Sequence, residues 1–75
     1  MEMSITKSYT QSITIDFQTW KYATTLSKSV KIESKEDLLR ESEKLWKQAK
    51  ALTEQDIRRD EADRNRVLEL LRNKQ

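Results

Sequence analysis

The first half of the chain alternates. From Ile5 the odd positions read Ile5, Lys7, Tyr9, Gln11, Ile13 and Ile15, and the even ones read Thr6, Ser8, Thr10, Ser12 and Thr14. Period two with β-branched residues on both sides predicts a strand. After Asp16-Phe17-Gln18-Thr19 the alternation resumes with shifted parity. Trp20, Tyr22, Thr24, Leu26, Lys28, Val30 and Ile32 share one side, and Lys21, Ala23, Thr25, Ser27, Ser29 and Lys31 share the other. With those four residues as a type I turn, residues 4–32 form a hairpin. Ile15 then faces Trp20, Ile13 faces Tyr22 and Tyr9 faces Leu26, so the apolar residues of both strands meet on one face. The opposite face is Ser and Thr edged by Lys. The alternative starts a helix at Asp16 as N-cap and aligns Trp20, Ala23, Leu26 and Val30. The segment "TTLSKS" is a poor helix interior, because Ser and Thr compete for backbone hydrogen bonds. The hairpin is the preferred reading.

Beyond Ser34 the period changes to 3.6. Ser34 with Asp37 three residues on resembles a capping box. Leu38, Leu39, Ser42, Leu45, Trp46, Ala49 and Leu52 then form one stripe, which predicts an amphipathic helix over 35–52. Glu36 and Asp37 in its first turn suit the helix dipole, and Glu36–Arg40 and Glu43–Lys47 are favourable pairs four apart. Residues 53–75 are expected to form a charged helical extension. Thr53 followed by Asp56 could cap a second helix, placing a break near residue 53. Val67, Leu70 and Leu71 stay close to the phase of the first stripe, so one unbroken helix of roughly 60 Å is equally economical. In "RRDEADRNR", Asp60, Asp63 and Arg64 fall where the apolar stripe would run, so this portion is not expected to rest on a dry core. A hairpin is expected to cover only part of such a helix.

Composition narrows the chemistry. The chain has 75 residues, 35% hydrophobic and 37% charged, with no His, Cys, Gly or Pro. So short a chain is one domain with a small core, and association is the expected route to stability. Without Cys there is no disulfide, and without Cys or His no ordinary zinc site. General-base and thiol chemistry lack their usual residues, and no Gly is present to cradle a phosphate. The expectation is a protein with no catalytic residues, no metal and no cofactor. The N-terminus has no apolar run like a secretory leader, and no stretch suits a membrane span, so a soluble cytoplasmic protein is expected. The net charge of +2 is too small to argue for nucleic acid by itself.

Two resemblances add context. "SKEDLLRES" (Ser34 to Ser42) resembles the start of the second helix in ribbon-helix-helix DNA-binding proteins, with "ITID" (Ile13 to Asp16) as the ribbon. That resemblance implies a dimeric repressor-like protein with Thr14 directed at base edges. The chain departs from it in lacking Gly between the helices. The span from Ile5 to Ile57, a Thr/Ser-rich hairpin leading into a helix with a Leu-Trp pair, is similar to small accessory proteins of phages and mobile elements, for which no activity is implied.

The resulting expectation is an α+β chain: a long antiparallel β-hairpin, then a long helix, assembled as a homodimer. Nucleic acid is the expected partner, contacted by Lys7, Thr14, Lys21, Lys28 and Lys31. Tyr9, Trp20 and Tyr22 either stack on bases or pack beneath the helix against Leu45 and Trp46. Val67, Leu68, Leu70 and Leu71 are the candidate surface for oligomerisation or partner docking. The alternative is a protein-interaction module that works through a hairpin edge or the C-terminal helix.

Overall fold

A computed structural model describes residues 1–73. Strands β1 (Glu2–Ile15) and β2 (Gln18–Lys31) pair antiparallel along their whole length. Asp16 and Phe17 alone connect them, at φ 50° and 68°. Left-handed backbone at both central positions makes the two-residue turn whose twist matches paired strands. The four-residue turn expected from the sequence is thereby corrected. Ile13 lies opposite Trp20, Gln11 opposite Tyr22, Lys7 opposite Leu26 and Ile15 opposite Gln18. The register differs by two residues, an even number, so every side chain keeps its expected face. The helix starting at Asp16 does not form.

This turn does without glycine. Left-handed backbone costs an L-residue roughly 1–2 kcal/mol, least for Asp and Asn. Asp16 suits the position, and its carboxylate is held by Arg72 at 2.6 and 3.0 Å. Phe17 has neither advantage, and its ring is wholly exposed.

Helix α1 spans Lys35–Arg59 and α2 spans Glu61–Asn73. Ser34, in extended backbone, caps α1 by accepting from the Asp37 N–H at 3.2 Å. Asp37 in turn accepts from the Glu33 N–H at 3.3 Å and binds Arg40 at 2.9 Å. Arg40 therefore pairs with Asp37 rather than Glu36, whereas Glu43–Lys47 forms as expected at 3.3 Å. The helical path breaks at Asp60 and not near residue 53. Thr53 is helical and fully buried, and its hydroxyl is satisfied inside the molecule. Backbone hydrogen bonds Asp60–Asp56 (3.1 Å) and Arg64–Asp60 (2.9 Å) cross the break, so the two helices follow one course.

Both helices lie along one face of the hairpin. The molecule measures 61 × 18 × 14 Å. Strands of 14 residues reach about 46 Å, against about 58 Å for helical residues 35–73. Arg72 near the end of α2 meets Asp16 at the hairpin tip, so the C-terminal helix is tethered there by side chains. The apolar core sits at the open end, where Ile5, Val30, Ile32 and Leu45 are buried with Met3, Leu26 and Leu38 against them. Towards the middle the contacts turn polar. Tyr9 meets Trp46 edge-on, with centroids 5.9 Å apart. Thr53 meets Thr24 at 2.7 Å. Arg64 lies over the Tyr22 ring. Near the tip Leu68 is buried again.

The buried line along the helices runs Leu45, Ala49, Thr53, then Arg64 and Leu68. Each step of four residues advances about 40° around a helix of 3.6 residues per turn. From Leu45 to Thr53 the line thus drifts about 80°, in keeping with a helix laid along strands that twist. Leu39 (61% exposed) and Leu52 (43%) therefore fall off the contact, although the sequence stripe includes both.

Candidate nucleic-acid interface

Pairing places the even residues of β1 and the odd residues of β2 on the outer face, away from the helices. That face is a ladder of hydroxyls. Thr6 bonds Ser27 at 2.9 Å, Ser8 bonds Thr25 at 2.9 Å and Thr14 bonds Thr19 at 3.0 Å. In each pair one hydroxyl proton is used between the two oxygens. The other O–H stays free to donate to a partner, and lone pairs remain to accept.

The face is also distinctive for what it does not carry. Of the 13 acidic residues only Glu2 and Asp16 precede Ile32, one at the far end of β1 and one in the turn. Between Ser4 and Ser29 the outer positions hold no carboxylate. Lys21 stands opposite Ser12, and Lys31 opposite Glu2. Several acidic residues of the helical layer pair with neighbouring Lys and Arg: Arg40–Asp37, Lys44–Glu41, Lys47–Glu43 and Arg59–Asp56.

The five residues expected to contact nucleic acid divide between two faces. Thr14, Lys21 and Lys31 point outward. Lys7 and Lys28 belong to the helix-facing set, where Lys7 is half-buried and Lys28 pairs with Glu41 at 3.5 Å. Tyr9, Trp20 and Tyr22 also face the helices, so stacking on bases from the outer face is not open to them. Between Ile13–Asp16 and Ser34 runs strand β2.

The C-terminal apolar residues divide as well. Leu68 is 4% exposed and belongs to the core near the tip, while Val67, Leu70 and Leu71 remain exposed. Leu68 and Leu71, with Asp16, Phe17, Gln18 and Arg72, line a cleft of about 420 Å³. Among the described residues, no Cα of α2 comes within 8 Å of a strand Cα. Only longer side chains bridge the gap, which is why a cleft exists there.

Two structural residues escaped the sequence reading. Arg64 is 8% exposed, and its Nη1 donates to the Tyr22 hydroxyl (2.8 Å) and the Ile57 carbonyl (2.6 Å). That carbonyl is among the last four of α1, which lack the usual intrahelical partner. Arg64 thus reaches back across the break to cap α1 and fastens it to β2. Its signal in the sequence was the position itself, an arginine on an apolar line. Thr53 Oγ1 lies 2.7 Å from Thr24 Oγ1 and 2.9 Å from the Ala49 carbonyl. A hydroxyl has one proton, and a carbonyl can only accept, so Thr53 donates to Ala49 and receives the proton of Thr24.

No helix among the described residues is long and apolar enough to cross a membrane. No protein-family model matches the chain, and neither a curated protein nor a solved structure matches it.

Proposed function

We propose that this chain is a non-enzymatic accessory protein that binds nucleic acid as a homodimer through the outer face of its hairpin. The observation that carries the reading is the segregation of charge and hydroxyls. The outer face offers Ser and Thr donors with Lys21 and no carboxylate between Ser4 and Ser29, and Lys31 opposite Glu2 at its open end, while the acidic residues sit largely on the helical layer. A phosphate backbone is a repeating anion, and hydroxyl donors with interspersed lysines suit contacts along it. No aromatic residue projects from this face, so the contacts are to phosphate and sugar, and binding tolerates many sequences.

Anisotropy titration of labelled single- and double-stranded oligonucleotides at two salt concentrations tests this. Two lysines from each of two copies would release about four counterions. Affinity for duplex should then fall about a hundredfold between roughly 50 and 200 mM salt. Lys21→Glu and Lys31→Glu should each weaken binding, and Lys44→Glu, on the helical layer, should not. Equal affinity at both salts, or indifference to Lys21→Glu, would refute the reading.

A second reading has its own observation. Each strand has one unpaired edge, 14 residues long, with no Pro, no Gly and no charged bulge to blunt it. Such edges add strands from a partner readily. Under this reading the chain is an interaction module for another protein, and its binding would depend weakly on salt.

A further inference from the structure

The two open edges of the hairpin are unlike. Strand β2 carries Lys21, Lys28 and Lys31, the residue type that discourages a further strand. Between Ser4 and Ile15, β1 carries a single charge, Lys7. Met1 and Ile32 exchange backbone hydrogen bonds in both directions, at 2.8 and 3.3 Å. Such pairs alternate along an antiparallel ladder, so the odd residues of β1 bond to β2 and the even ones turn N–H and C=O to the open edge. Those even residues, Ser4, Thr6, Ser8, Thr10, Ser12 and Thr14, all bear hydroxyls. The flank of α1 above this edge is also uncovered. Helix α1 lies over the seam between the strands: Tyr9 of β1 meets Trp46 on one flank, and Lys28 of β2 meets Glu41 on the other. On the β1 flank Trp46 is 39% exposed, and Leu39, seven residues earlier, is 61% exposed. Glu43, three residues before Trp46, shares that side. So does Lys50, whose Nζ lies 5.4 Å from the Trp46 centroid.

We infer that β1 pairs antiparallel with β1 of a second copy about a two-fold axis at Tyr9, giving a four-stranded sheet with both α1 helices on one face. The occupant follows from complementarity, since a two-fold contact makes each strand its own partner. With the axis at Tyr9, Ser8 faces Thr10, Thr6 faces Ser12 and Ser4 faces Thr14 of the second copy. The hydroxyl pairs seen between β1 and β2 are thereby repeated. Lys7 faces Gln11 and meets no second lysine. The same axis passes beside Trp46, because Tyr9 packs against it. The two α1 helices then run antiparallel, and Glu43 of each comes level with Lys50 of the other, so opposite charges meet on both sides of the axis. The spacing also fits. The two seams lie two strand spacings apart, about 9–10 Å, and helices pack at about 8–10 Å. This inference rests on the homodimer part of the proposed function and assigns it a surface.

Sedimentation equilibrium of the full chain without nucleic acid should show a dimer for the wild type. Thr10→Pro removes one outward N–H per copy and none that bonds β2, and should weaken association about a hundredfold. Thr25→Pro makes the same change on the open edge of β2 and should leave the dimer intact. Glu43→Lys and Lys50→Glu, on the helix surface, should each weaken association about tenfold at low salt. An equimolar mixture of these two should dimerise as well as the wild type, because opposite charges again meet across the axis. Misfolding of either variant cannot produce that rescue. A wild type that is monomeric at every concentration would overturn the inference and leave the β1 edge to a strand of another protein. Equal loss from the two proline variants, both folded by circular dichroism, would also overturn it, as would a mixture that associates no better than its components. The oligonucleotide titration is run on the same samples. Salt-dependent binding by a monomeric wild type would sink the β1 contact and leave the outer-face reading standing. A β1-dependent dimer that ignores oligonucleotides would do the reverse.

Discussion

The contact between Arg64 and Tyr22 joins the helical break to the sheet, and its energy can be worked from the geometry. Nη1 uses both of its protons, one on the Tyr22 hydroxyl at 2.8 Å and one on the Ile57 carbonyl at 2.6 Å, with the guanidinium carbon 5.6 Å from the ring centroid. Tyr22→Phe removes one of these bonds and leaves a buried guanidinium proton without a partner, at a cost of about 1–2 kcal/mol. Arg64→Met keeps much of the aliphatic stem but also orphans the Ile57 carbonyl, for a total of about 3 kcal/mol. Relief from burying a charge offsets part of that loss. A chain this size has about 4–11 kcal/mol of stability in all, so the second change is severe. The double variant should cost less than the sum of the two, with a coupling of about 1 kcal/mol, because once the hydroxyl is gone Arg64→Met loses only the bond to the Ile57 carbonyl. Thermal melts followed by circular dichroism resolve this easily, since 1 kcal/mol moves Tm by about 4–8 °C at this length. Additivity within about 0.3 kcal/mol would refute the linkage.

Two further tests follow from the drifting contact line and the tip. Thr53→Val, nearly isosteric, should lose about 1–2 kcal/mol by breaking the Ala49–Thr53–Thr24 chain, while Leu52→Gln next to it should change stability by no more than about 0.5 kcal/mol. The opposite ranking in urea melts would restore the straight stripe. Arg72→Gln should lower Tm slightly at low salt and leave it unchanged at high salt, because the Arg72–Asp16 pair is mostly exposed and screened. A large loss insensitive to salt would mean that the tip is held by something stronger.

The strand alternation and the Ser34 cap were legible because each is a local signal. Parity assigned every hairpin side chain to its face even though the turn was read two residues too long. The turn itself misled because Asp16-Phe17 lacks the glycine that marks a two-residue connection. The helix stripe was half right for a different reason. Its period was taken from an isolated straight helix, whereas the true contact line drifts in keeping with the twist of the sheet below, which no local pattern encodes. Thr53 and Arg64 look polar in sequence and are buried because Thr24 and Tyr22, 29 and 42 residues away, supply their partners. Lys7 and Lys28 were grouped with Lys21 and Lys31 by charge, but parity alone places them on the other face.

The outer hairpin face as the binding surface is best tested by following backbone and methyl signals of the labelled protein as a short oligonucleotide is added at low salt. Shifts concentrated at Thr6, Thr10, Lys21, Thr25 and Ser27, with α1 from Leu38 to Ala49 unmoved, are the predicted result. Shifts confined to Phe17, Leu70 and Leu71, or no shifts at all at saturating oligonucleotide, would contradict it.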